Sequence, residues 1–145
     1  MRTGEGAEST PRQFLPIHAR HFLGFCALSI LTAGAGALVL GTWLLNYMNY
    51  YVFELARTGA HPLALALLGW HPWAVIRVVG YIVTGAALTP PGIGLWARLR
   101  RRRGRFEVPR NVLATGIGLV LLDIVVKTLL APTWQRWLAA LYRAP

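Results

Sequence analysis

The chain has 145 residues, 55% of them hydrophobic and only 14% charged, and its net charge of +10 comes from 14 arginines and one lysine against five acids. A soluble domain carries about 25% charged residues. Here the apolar residues fall in runs of about twenty, so composition excludes an ordinary soluble domain and favours an all-α integral membrane bundle. The single cysteine, Cys26, excludes an internal disulfide.

Residues 1–21 are polar and interrupted by Pro11 and Pro16, and they read as a cytoplasmic tail. The apolar stretch from Phe22 to Asn46 is too long for the 7–15-residue core of a secretory signal and reads as an uncleaved first span. Ala33, Gly34, Gly36, Ala37 and Gly41 give it small residues against which a neighbouring helix can pack closely. Trp43, Tyr47, Tyr50 and Tyr51 mark its outer headgroup end, and the helical pattern runs on to Arg57 before Thr58-Gly59 stops it.

His61-Pro62 and His71-Pro72 each predict a helix start, because proline suits a first turn and disfavours helix in the residue before it. Residues 62–69 then form a short interfacial helix and 72–97 the second span, kinked or unwound near Pro90-Pro91. The segment Arg98 to Arg110 holds seven arginines and one acid. A third span covers 111–131 and ends at Pro132. In residues 132–145, Trp134, Trp137, Leu138 and Leu141 recur at i, i+3, i+4 and i+7, the stripe of an amphipathic C-terminal helix lying on the membrane surface. The fold expected is a three-span helical bundle, 22–131, between a tail and an amphipathic end.

Charge sets the expected orientation. With three spans, the tail and the 98–110 loop share a side and hold ten arginines, against Arg57, Arg136 and Arg143 on the other. This predicts a multi-pass inner-membrane protein with a cytoplasmic N-terminus and an outer C-terminus. Trp43, Trp70, Trp73, Trp134 and Trp137 are then expected at the outer interface and Trp96 at the inner one. In this reading Arg98, Arg100, Arg101, Arg102, Arg103 and Arg105 contact anionic lipid headgroups or a cytoplasmic partner. Nucleic acid is disfavoured, since a short loop offers no reading element or aromatic platform.

Three ionisable residues fall inside spans: Arg77, Asp123 and Lys127. Each costs roughly 2.5–3.5 kcal/mol at the membrane centre and demands a partner or a route to water. Asp123 and Lys127 stand at i, i+4 with the acid first, the favourable order for one helix face. One reading is purely structural: Asp123 neutralises Lys127 or Arg77 while the cations snorkel outward. The other is a polar site open to the outer side, built from Arg77, Asp123 and Lys127 with Asn46, Asn49 and Glu54. His61 and His71 read as helix-start residues rather than metal or haem ligands, since no carboxylate or cysteine accompanies them. No metal or other cofactor is expected. Ser9 and Ser29 lack a base, and no phosphate-binding loop or carboxylate pair is present, so catalysis is not expected.

Leu45-Asn46-Tyr47-Met48-Asn49, His61-Pro62-Leu63 and the following Arg77 resemble a family of small prokaryotic membrane proteins of unknown function. In that family the first span ends in Leu-Asn-x-x-Asp, a turn follows with Asn-Pro-Leu, and the second span carries a basic residue. The likeness covers roughly residues 40–130, with Asn49 in place of the acid and His61 in place of the asparagine. It implies a compact helical bundle and no particular activity. The function expected is that of a non-enzymatic accessory or assembly subunit, packing against other membrane subunits or itself. The alternative is a small transporter or channel component that uses the polar cluster.

Overall fold

The computed structural model describes residues 11–104 and 106–143. Among them are five helices and no strand: α1 (Pro11–Leu31), α2 (Ala35–Thr58), α3 (Pro62–Gly69), α4 (Pro72–Leu99) and α5 (Arg110–Arg143). Three of these, α1, α4 and α5, are long and apolar enough to cross a membrane. The number of spans is as expected, but the first is made of different residues.

The stretch expected to be one helix from Phe22 to Arg57 is broken at Thr32–Gly34. Gly34 donates to the Ser29 carbonyl at 2.8 Å and Ala33 to Ile30 at 3.3 Å, with Ala33 at φ +50° and Gly34 at φ +92°. This paired closure caps α1 in the Schellman manner, with alanine where glycine is usual. The run of small residues that looked like a packing stripe therefore holds a reversal of the chain. A side chain at Gly34 would also strike Thr89 Oγ1, 2.6 Å from its Cβ position. Pro11 opens α1, where a missing N–H costs least, and Pro16 is carried inside the helix. The expected tail thus divides: 11–21 is helical, and residues 1–10 lie outside the described residues.

Contacts along the helices give their directions. The Phe25 ring meets Tyr81 at 4.7 Å, and Trp96 Nε1 donates to the Leu31 carbonyl at 2.7 Å, so α1 runs parallel to α4. Gly34 lies against Thr89, whereas Tyr51 stacks on His71 with ring centroids 6.0 Å apart. Hence α2 runs back beside α1 through the same depth as α4. The α4–α5 pair is antiparallel, with Arg77 against Asp123 and Gly80 against Val120. Two ends of the bundle result, an arginine end at residues 98–110 and an aromatic end.

One relative placement differs from expectation. Because α1 runs parallel to α4, with α2 returning the chain between them, Pro11 lies at the end of the bundle opposite the arginines rather than beside them. At the aromatic end, His71 stacks on Trp73 at 4.7 Å, Trp73 meets Trp134 edge-on at 5.9 Å, and Trp134 meets Trp137 at 5.8 Å. Trp43 does not join this cluster: it lies in the first half of α2, lining a cleft with His21 of α1.

The two expected helix starts hold: Pro62 and Pro72 each occupy a first turn. Pro132 does not end α5, which continues to Arg143 as one helix of 34 residues. Tertiary contacts past the proline hold the last turns in place. Trp134 Nε1 donates to the Leu68 carbonyl at 2.9 Å, and the Tyr142 carbonyl accepts from the Ala60 N–H at 3.4 Å. Likewise Pro90 and Pro91 lie inside a continuous α4.

Candidate functional site

The α4–α5 seam is where the ionisable residues meet. Glycine brings the two backbones close: a Cβ at Gly116 would lie 2.8 Å from the Thr84 N and in collision with its hydroxyl, and one at Gly80 would lie 3.0 Å from Val120. One turn toward the aromatic end, Arg77 Nε donates to Asp123 Oδ2 at 2.8 Å and Nη2 to Oδ1 at 3.0 Å. This is the two-pronged guanidinium–carboxylate geometry that gives the strongest side-chain pairing. Asp123 is 1% exposed, while the Arg77 side chain is 28% exposed. The acid is thus sealed in the seam, and the cation keeps an edge toward the outside.

Lys127, 2% exposed and one turn beyond Asp123, lies with Nζ 4.5 Å from the centre of the Phe14 ring. A desolvated ammonium over an aromatic face gains up to about 2 kcal/mol. Phe14 packs in turn against His18, with centroids 5.3 Å apart. The opening turns of α1 therefore cover Lys127 through Phe14. Sequence reasoning missed Phe14 and His18 because it assigned them to a polar tail; the signal was present in the apolar residues Phe14, Leu15 and Ile17 between the prolines.

The expected six-residue cluster is accordingly divided. Arg77, Asp123 and Lys127 come together. Asn46 and Asn49 do not reach them: both are exposed on α2, and neither amide is hydrogen-bonded to another described residue. Glu54 bonds Arg57 one turn along its own helix at 2.7 Å. Asn49, which occupies the position of the acid in the family resemblance, does not serve Arg77; Asp123 does.

At the arginine end, Arg98 lies 5.9 Å from the Phe106 ring centre and donates to the Gly104 carbonyl at 3.3 Å, and Arg100 lies 5.9 Å from the Trp96 ring. Arg101, Arg102 and Arg103 are exposed, and Arg105 lies outside the described residues. His71 is held between Tyr51 and Trp73. Among the described residues no three His, Cys, Asp or Glu side chains converge as a metal site would require.

No protein-family model, curated protein or solved structure matches the chain.

Proposed function

We propose that this chain is a non-enzymatic membrane subunit, a small helical scaffold that assembles with other membrane helices. The observation that carries this reading is the closure of the ion pair. The intramembrane acid is consumed in a two-pronged bond across the α4–α5 seam and buried there, so it holds helices together rather than presenting a reactive group. The polar groups left open, Asn46 and Asn49, lie on an outer helix face, where assembly rather than chemistry would use them. The test is mild extraction from membranes followed by native mass spectrometry. The reading predicts an intact mass above that of one 16.0 kDa chain, and a bare single chain under every mild condition would overturn it.

In this reading the arginine end faces the cytoplasm of an inner membrane, touching anionic headgroups through Arg98 and Arg100–Arg103, and the Pro11 and Arg143 ends face outward. Moving Arg12 and Arg20 away from the loop narrows the charge margin. The orientation then rests on density, seven arginines within thirteen residues between two spans. Thiol labelling of Arg12→Cys and His61→Cys from outside, with Gly104→Cys protected until the membrane is opened, is the expected pattern.

A second reading, a transporter or channel component, draws on the 28% exposed edge of Arg77 in the outer half of the bundle. It requires that Arg77→Gln abolish flux or anion binding in protein that still folds. The scaffold reading requires loss of stability instead.

A further inference from the structure

We infer that the segment from Trp96 to Phe106 is a binding site for a lipid whose headgroup carries two phosphates, gripped by Arg98, Arg100 and Arg101. The inference rests on the reading that the arginine end meets anionic headgroups, and it names the headgroup.

The segment is a folded hook rather than a loose basic linker. At the end of α4 the Arg101 N–H donates to the Arg98 carbonyl at 2.9 Å and the Arg102 N–H to the Ala97 carbonyl at 2.8 Å, with Arg101 at φ +55°. This is the closure in which glycine ordinarily takes the left-handed position. An arginine there carries a steric cost that glycine would avoid, so the position supplies a charge as well as a turn. Arg98 Nε closes the hook on the Gly104 carbonyl at 3.3 Å, and its guanidinium lies 5.9 Å from the Phe106 ring centre. Arg100 lies 5.9 Å from the Trp96 ring, and Trp96 is itself tied to the Leu31 carbonyl at 2.7 Å. Two guanidinium groups are thus set against rings before any ligand arrives.

Charge decides what the hook receives. Five arginines stand within residues 98–103, all of them exposed, and the whole 98–110 segment has one acid, Glu107. Like charges this close repel, and the carbonyls at the end of a helix favour cations only in its last turn. The complementary anion must come from outside the segment. Guanidinium takes phosphate oxygens in pairs, through parallel N–H bonds. A headgroup with two phosphates brings two such acceptors and two negative charges to one footprint. One molecule then does what would require two monoanionic lipids, with half the loss of translational freedom.

Three apolar side chains select a lipid over a dissolved phosphate. Leu99, Phe106 and Trp96 are 66%, 47% and 44% exposed and interleave with the arginines. Acyl chains can cover them, whereas a free anion gains nothing from them. Both α4 and α5 are long and apolar enough to cross a membrane, so in the membrane reading the segment joining them lies where headgroup meets hydrocarbon. Basic side chains at that level attract anionic lipid, and tryptophan is at home there.

The test titrates the full chain in neutral maltoside micelles with cardiolipin, or with twice the concentration of phosphatidylglycerol so that phosphate and charge are matched. Native mass spectrometry counts the bound lipid. One cardiolipin should be retained at about tenfold lower concentration than phosphatidylglycerol, the worth of one further charge-assisted hydrogen bond. Arg98→Lys, Arg100→Lys and Arg101→Lys together keep the charge but lose the paired donors, so the preference should fall to within about twofold at an unchanged thermal midpoint. Equal retention of the two lipids, or a preference that survives in the lysine variant, would overturn the two-phosphate site and leave the headgroup reading standing. Displacement of cardiolipin by inorganic diphosphate or by polyglutamate at matched charge would overturn it in favour of a free phosphate or an acidic protein. No preference for either anionic lipid over phosphatidylcholine would overturn both the site and the headgroup reading.

Discussion

The α4–α5 seam and the α1–α2 hairpin treat their polar residues in opposite ways. In the seam, glycines admit close backbones and a carboxylate takes both prongs of Arg77, so polarity is satisfied inside one chain. In the hairpin, α1 covers Lys127 with Phe14, while α2 leaves Asn46 and Asn49 exposed. The comparison teaches that charge and amide are handled differently here. An uncompensated buried charge is too costly to leave unpaired, so it is closed within the chain, whereas an exposed amide carries no such penalty.

The largest effect should come from opening the seam. Asp123→Ala strands Arg77 and Lys127 together, and we expect a loss of about 3 kcal/mol, the low end for a broken buried pair because Arg77 keeps an exposed edge; denaturant unfolding in micelles reads it. Next, Gly116→Ala drives a methyl group into Thr84 and its backbone. It should cost about 2 kcal/mol by forcing the helices apart, visible as a lowered Tm with helicity retained.

The Thr84 hydroxyl is wholly buried with no hydrogen-bond partner among the described residues. Thr84→Val should therefore raise stability by about 1 kcal/mol, since it removes an unsatisfied group at nearly constant shape. In the hairpin the effect should be smaller. Ala33→Gly relieves a left-handed alanine at φ +50° but gives the unfolded chain more freedom, for a net gain of about 0.5 kcal/mol. A seam insensitive to Asp123→Ala beside a hairpin sensitive to Ala33→Gly would invert the comparison.

Much of this was legible in the sequence, and the reasons differ by region. Pro62 and Pro72 announced α3 and α4 because proline acts locally, through its own φ and its missing N–H. Arg77, Asp123 and Lys127 were identifiable because charge within an apolar run is rare at any depth. The pairing of Arg77 with Asp123 in preference to Lys127 with Asp123 was open, because the sequence places i and i+4 together but says nothing of the facing helix. The break at Thr32–Gly34 was hidden. Alternating alanine and glycine look alike whether they line a helix contact or close a turn, and only the positive φ at two successive residues separates the cases. That one misreading moved the first membrane-length apolar helix from 22–46 to Pro11–Leu31 and placed its start at the end of the bundle opposite the arginines. Pro132 misled for the opposite reason: the contacts of Trp134 and Tyr142 with α3 and the turn before it hold the helix together past the proline, and tertiary contacts of that kind leave no local mark.

The central claim is that Arg77 and Asp123 form a closed structural pair. A double-mutant cycle tests it most directly, with Arg77→Gln, Asp123→Asn and the combined variant compared by unfolding in micelles. The account predicts that the double variant is nearly as stable as the more damaged single one or more so, giving a coupling of about 2 kcal/mol or more. Losses that add within about 0.5 kcal/mol, as they do for independent sites, would contradict it.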